Sequence, residues 1–514
     1  MAGNFSKVFS AELEGIDARL VEVETDLHVG LHAFNIVGLA DKALSEAKER
    51  VSSALKNIGI KPPTKENRRV VVNLAPADLK KTGSQYDLAI AIGYLLATNQ
   101  IKEIDPRDKL FVGELALNGS LRPISGALSI TLLAKKLKFS VLFLPKPNAA
   151  EAAIVDGITV IPVQDLKQLI AHLENSQSIS QQPKTNFLSA SQQEKTEDWQ
   201  MAAVLLDDIK GQENAKRALL IAAAGGHNIL LSGSPGGGKT MLAQALISLL
   251  PPLSLEELIE TTQIYSAAGM LKNNSLVSAR PFRYPHHSAS LVAIVGGGAH
   301  PKPGEISLAH HGVLFLDELP EFDRDVLEAL RQPLESRTIT VARARDRLIF
   351  PANFLLAGAM NPCPCGYYND DQKECQCAPQ AIRRYQKKIS GPLLDRIDLQ
   401  INVPRVEIEK LKIKRERLAA NDLKTKNKVA GARAAQYQRQ GELNAKLTSR
   451  QCDQFIILND AAENFLEKMA KKSLVTARGY YKLLKISRTI ADLAHSPIVQ
   501  EEHVSEAFSY RLRE

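Results

Sequence analysis

The eight residues Gly233 to Thr240, GSPGGGKT, carry the spacing G-x-x-x-x-G-K-T. This pattern gathers backbone N–H groups, one ammonium and one hydroxyl around a nucleotide's phosphates. Gly233, Ser234, Pro235, Gly236, Gly237 and Gly238 form the turn, whose glycines let N–H groups face anionic oxygen. Lys239 is expected to reach the β- and γ-phosphates, and the Thr240 hydroxyl to ligate Mg2+. Hydrolysis needs a metal-holding carboxylate and a group that polarises water. The apolar run GVLFLDE ends in both: Asp317, placed to hold Mg2+ through water, and Glu318, placed to act on the attacking water. Read from the residues, the chemistry is ATP hydrolysis.

A second constellation is MNPCPCGYYNDDQKECQCAP, residues 360–379, which holds four of the five cysteines. The start, MAGNFSKVFSAELEGIDARL, has no apolar signal-peptide core, so a cytoplasmic chain with reduced thiols is expected. Cys363, Cys365, Cys375 and Cys377, two C-x-C pairs nine residues apart, then supply the ligand count of a structural tetrahedral Zn2+ site. A redox pair and unliganded loop thiols are the competing readings. Cys452 is remote in sequence and is expected to take no part.

Elements must position these residues. The glycine turn comes after the strand-like NILLS and opens the helix-like TMLAQALISLL. HNILLSG, GVLFLDE and NFLLAGAMN are short continuous apolar runs separated by helical patterns, as in a buried parallel sheet. Upstream, RRVVVNLAP and VLFLP alternate with SEAKERVSSALKNIG, which predicts a separate α/β domain over residues 1–173. A Ser- and Gln-rich stretch at 174–200 reads as a linker, 201–404 as the phosphate-binding core, and 405–514 as Lys/Arg-rich helices. LAIAIGYLLA, residues 88–97, spans about half a bilayer and reads as a core helix, so no membrane partner is expected. SRTITVARARDRLIFPANF reads as a β-hairpin with Arg343, Arg345 and Arg347 near its tip, able to track DNA phosphates regardless of sequence. A solvated hairpin is the bland reading. The net charge of +8 over 514 residues permits contact with nucleic acid without demonstrating it.

The order of Gly233–Thr240, Asp317-Glu318, Asn361 and GPLLDRID resembles an AAA+ ATPase. YPHHSAS, HHGVLFLDELPEF, LRQPLE, MNPCPCG and SLVTARGYYKLLKISRTIADLA narrow the resemblance to the YifB/ComM family of magnesium-chelatase-like AAA+ proteins, over almost the whole chain. The resemblance implies that Asn361 is sensor 1 beside the γ-phosphate, Arg396 an arginine finger serving a neighbouring subunit, and Arg478 sensor 2 on a C-terminal helical lid. A finger acting in trans requires head-to-tail contacts that close into a ring, for which AAA+ relatives suggest six subunits.

The first domain resembles the Lon-protease catalytic fold (ribosomal S5 domain 2-like) in NLAPADLKKTGSQYDLAIAIGYLLA and GELALNGSLRPISGALSITLLAKK. In that register Gln85 stands at the nucleophilic serine and Leu128 at the lysine, and neither can do the chemistry. Ser84 is one place away without a lysine partner at 128. A structural platform or DNA-handling module is therefore expected. The family resemblance implies a homohexameric ATP-driven motor acting on branched DNA or heteroduplex in homologous recombination, notably during transformation. The competing readings are a metal-chelatase motor subunit without a nucleic-acid role and an ATP-dependent protease.

Overall fold

The computed structural model describes residues 5–511 except 39–41, 64–67, 80, 82, 185–203, 272–275, 299–300, 343–346, 371, 407–417 and 473–474. Two compact units emerge: residues 1–194 with 255–278, and 195–254 with 279–514.

In the first unit a hairpin, Phe5–Glu14 and Asp17–Val29, pairs from Phe5↔Asp26 to Glu14↔Asp17. Along its second strand Val21, Val23, Thr25 and Leu27 alternate inward, giving the sheet one core face. The hairpin is the centre of a seven-stranded mixed sheet in the order 33–37, 68–75, 17–29, 5–14, 109–111, 141–145, 159–163. The helix Asp87–Ala97 is buried at every position but one, as a helix apolar on all sides must be.

Two expectations shift here. Residues 174–184 are not loose chain: Ile179 is buried in this unit's core and the Gln182 N–H bonds the Val160 carbonyl at 2.9 Å. The rest of the expected linker, 185–200, lies outside the described residues. The helix Leu255–Ala268, expected within the 201–404 core, packs in the first unit. Its Ser266 hydroxyl donates to the buried Glu151 and accepts the Gly126 N–H at 2.9 Å, while Gln263 donates to the Ile16 carbonyl at 3.0 Å.

The second unit is built on a five-stranded parallel sheet in the order 282–283, 313–316, 355–360, 229–232, 399–402. The strands Ile229–Ser232, Val313–Leu316 and Leu355–Met360 are buried throughout, which is why they read as continuous apolar runs. Because all five run the same way, the segments that leave their C-terminal ends emerge along one edge, where open α/β sheets bind ligands.

The expected boundary near residue 405 divides the secondary structure but not the core. Leu219, Ile221 and Leu246 share one apolar cluster with Val429, Leu483, Ile490 and Val504. A polar knot joins the same parts, with His227 3.2 Å from Asp398 and 2.8 Å from the Thr489 hydroxyl. Among the described residues, no helix is long and apolar enough to cross a membrane.

Candidate active site

The glycine turn leaves its strand at Gly233, whose N–H bonds the Met360 carbonyl at 3.2 Å. A Cβ there would stand 2.0 Å from the Val403 carbonyl oxygen, so the close approach of two chain segments admits only glycine. Gly238 takes a left-handed conformation, φ 84°, and starts the helix Lys239–Leu249, whose free N–H groups face the turn. Lys239 Nζ donates to the carbonyls of Gly233 (2.7 Å) and Ser234 (3.1 Å) and to Asn361 Oδ1 (3.1 Å). Its ammonium is thus held over the turn by three acceptors. Asn361, the first residue past the adjacent strand, reaches the same spot, so the sheet edge brings the expected sensor to Lys239.

Thr240 Oγ1 lies 3.1 Å from Asp317 Oδ2. A hydroxyl and a carboxylate this close are hard oxygen donors suited to one Mg2+ shell, so the residues fit the ion. Tyr284, two residues before His286 in YPHHSAS, donates its hydroxyl to the same Asp317 oxygen at 3.2 Å. Burial, and then the Asp317 charge, raise the Tyr284 phenol above its ordinary pKa. The Glu318 N–H bonds Asp317 Oδ1 at 3.0 Å, and Glu318 itself is left-handed at φ 51°. Non-glycine residues rarely adopt that region, and strained turns of this kind cluster at functional sites. The Glu318 carboxylate is half exposed and faces His287 Nδ1 at 3.3 Å. Sequence reasoning assigned no role to Tyr284 and His287. The available signal was their place directly after the strand Phe282–Arg283, at the edge where Asp317 emerges.

Arg396 and Arg478 meet elsewhere. Arg396 Nη2 is 2.6 Å, and Arg478 Nη2 2.9 Å, from the same Glu335 Oε1. The Arg396 side chain is only 9% exposed and its Nε is buried without a partner. The two guanidinium groups, Arg396 first, hold the Glu335 carboxyl below its usual range despite partial burial. Among the described residues, no hydrogen bond joins either arginine to residues 233–240 of its own chain. Glu335, in the helix Arg331–Ser336, escaped sequence reasoning, because a carboxylate in LRQPLE gives no sign of partners 61 and 143 residues away.

The four cysteines converge. Sγ separations are 3.4 Å (Cys363–Cys365), 3.7 Å (Cys363–Cys375) and 3.6 Å (Cys365–Cys375), and Cys377 completes a set within 4.8 Å. A tetrahedral Zn2+ with Zn–S of about 2.3 Å has sulfur–sulfur edges of about 3.8 Å. The donor set and its spacing fit that ion. Backbone N–H groups of Cys365 and Tyr368 point at the sulfurs of Cys377 (3.4 Å) and Cys363 (3.3 Å), as outer-shell donors around a metal-binding sulfur do. Cys452 is buried in the helix Ser449–Phe455, outside this set, and burial pushes its thiol up to about 11.

The expected hairpin is formed by Thr338–Ala342 and Arg347–Pro351, in register from Thr338↔Pro351 to Ala342↔Arg347. Arg347 is exposed on its first rung, while Arg343 and Arg345 lie outside the described residues. In the first unit Leu128 is fully buried, with its N–H bonded to Glu151 at 2.9 Å. The Gln85 amide donates to Glu12 at 2.8 Å, and the Ser84 hydroxyl donates to Glu114. Among the described residues, the hydrogen-bond partner of the Ser84 hydroxyl is therefore a carboxylate.

Comparison with known proteins agrees with this architecture. Residues 205–411 match the family described as "Magnesium chelatase, subunit ChlI", residues 23–148 "Subunit ChlI of Mg-chelatase", and residues 421–511 "Magnesium chelatase, subunit ChlI C-terminal". "Competence protein ComM" of Haemophilus influenzae is 44% identical over 510 residues, covering 98% of this chain and 97% of its own. "Uncharacterized protein YifB" of Escherichia coli is 41% identical over 500 residues, covering 97% of this chain and 95% of its own. A short stretch, 13% of this chain and 11% of the relative, is 41% identical to "Archaeal Lon protease" of Archaeoglobus fulgidus. With full-length identity at this level, the chain belongs to the YifB/ComM family of magnesium-chelatase-like AAA+ ATPases.

Proposed function

We propose that this ATPase is a homohexameric, ATP-driven DNA motor that moves branched DNA or heteroduplex during homologous recombination, notably when DNA taken up in natural transformation is integrated. The observation that carries the reading is its 44% identity to a protein named for competence, extending through both units and not only the ATPase core. In the reaction, Lys239 and the N–H groups of the turn bind the phosphates, and Thr240 and Asp317 hold Mg2+. Bound between Thr240 and Asp317, Mg2+ would neutralise charge on the β- and γ-phosphates. Glu318 accepts the proton of the attacking water, and Asn361 orients the γ-phosphate side of the site.

Arg396 serves the nucleotide of the neighbouring subunit as arginine finger and Arg478 acts as sensor 2 on the helical lid, with Glu335 holding both guanidinium groups until phosphate arrives. Arg343, Arg345 and Arg347 line the path of the DNA backbone. Cys363, Cys365, Cys375 and Cys377 would hold one structural Zn2+, whose role would be to fix the loop. The first unit is a Lon-like platform that handles DNA or organises the ring, in the cytoplasm. The protease reading is disfavoured by Gln85 and Leu128 at the dyad positions.

The test is a labelled four-way DNA junction incubated with the protein, ATP and Mg2+. Conversion into forked duplex products that requires hydrolysable ATP supports the proposal. A junction left intact while ATP is consumed would favour the metal-chelatase motor reading.

A further inference from the structure

The loop that carries the cysteines also touches the phosphate-binding turn. Gly366, in the left-handed conformation at φ 87°, lies so near Pro235 that a Cβ would stand 2.7 Å from its ring carbons Cγ and Cδ. The Ser234 hydroxyl, on the second residue of the turn, helps hold the Asp370 carboxyl below its usual range. The same carboxylate accepts the N–H groups of Gln372 (2.9 Å) and Lys373 (3.0 Å) and pairs with Arg405 Nε at 3.5 Å. The Tyr367 ring is flanked by the Lys373 ammonium at 4.1 Å and the Arg405 guanidinium at 5.1 Å from its centroid. At the loop's start Asn361, two residues before Cys363, receives the Lys239 ammonium.

Asp370 and Tyr367 therefore sit in the nine-residue span between the two C-x-C pairs, whose ends the four thiols bring together. A span tied at both ends loses much of the freedom it would have as open chain, so its contacts with the turn cost less entropy to keep. The cysteine pairs and the phosphate-binding turn are separate motifs in the sequence. The geometry couples them directly.

We propose that the cysteine-held loop braces the phosphate-binding turn, so that occupancy of the four thiolates by zinc sets the affinity of this chain for nucleotide. The inference rests on the zinc reading above and adds a consequence for the neighbouring site. Releasing the staple lets the turn leave its binding-competent shape. If that shape is then held about one-tenth of the time, the apparent Kd rises about tenfold.

The experiment measures zinc per chain by elemental analysis and Kd for ADP by calorimetry on the full-length protein. The wild type is compared with Cys375→Ser/Cys377→Ser and with Asp370→Ala, which keeps all four thiols. The double variant is expected to lose zinc and bind ADP about tenfold more weakly. Asp370→Ala is expected to keep zinc and still weaken ADP binding several-fold, which separates the brace from a general failure to fold. Zinc lost with Kd unchanged overturns the brace and leaves the zinc site standing. Zinc absent from the wild type overturns the zinc reading itself. An Asp370→Ala protein with wild-type affinity overturns the brace whether or not the double variant folds.

Discussion

Replacing Glu318 with glutamine separates binding from chemistry at this site. The substitution keeps shape and volume but removes the lone pair that accepts the water's proton. A positioned general base is worth about 10^2- to 10^4-fold, or roughly 3–5 kcal/mol of barrier at about 1.4 kcal/mol per tenfold. Affinity should change far less. In the proposed site the phosphate ligands are Lys239 and the turn and the Mg2+ donors Thr240 and Asp317, whereas the Glu318 carboxylate stands apart, half exposed and facing His287. Loss of such an exposed charge shifts binding by about 1 kcal/mol or less. Nucleotide titration alongside single-turnover hydrolysis should show Kd within about fivefold of wild type and turnover at most one-hundredth. By contrast Lys239→Ala should lose binding, because it deletes the ammonium that now holds three acceptors. Near-normal turnover in Glu318→Gln would refute this assignment of the base.

Arg396→Ala should bind ATP and fail to hydrolyse it, and mixing it with Glu318→Gln protein should restore some activity, because certain interfaces then combine an intact Glu318 with an intact Arg396. No recovery in rings that demonstrably exchange subunits would count against action in trans. Changing Arg343, Arg345 and Arg347 together to Ala should weaken DNA binding equally for all sequences and flatten the log–log salt slope by about 2–3; an unchanged slope removes the hairpin from the DNA path. Burial holds the Asp87 carboxyl up to about 6, outweighing its ion pair with Arg50. An unfolded chain releases that proton near pH 4, so between about pH 4 and 6 the folded state binds more protons. This group's contribution to stability therefore falls as pH rises across that window, by roughly 3 kcal/mol in all. Chemical denaturation of wild type and Asp87→Asn should show the wild type losing ground from pH 4 to 6, and a constant difference would contradict the burial argument.

The phosphate site was legible because its residues are local. Eight consecutive positions define the turn, and Asp317, Glu318 and Asn361 each come after an apolar strand, so a parallel sheet must bring them to one edge. The C-x-C pairs were legible for the same reason. The residues that escaped depend on distant pairing. Glu335 gains meaning only when Arg396 and Arg478 arrive from other elements, and Tyr284 only when its strand is laid beside that of Asp317. Nothing local in the helix Leu255–Ala268 marks it off from the surrounding 201–404 stretch, and it joins the first unit through contacts such as Ser266 with the buried Glu151. The fusion of the C-terminal helices with the ATPase core was hidden similarly. His227, Asp398 and Thr489 are unremarkable apart, and form a polar knot only in the fold.

The most direct test is the steady-state ATPase rate of the full-length protein with and without a branched DNA, run beside the variant lacking Arg343, Arg345 and Arg347. A DNA motor should hydrolyse ATP several-fold faster with the junction present, and the variant should keep its DNA-free rate while losing most of the stimulation. A rate indifferent to branched, single-stranded and duplex DNA at low salt would contradict the proposed coupling and leave an ATPase whose work is done on another substrate.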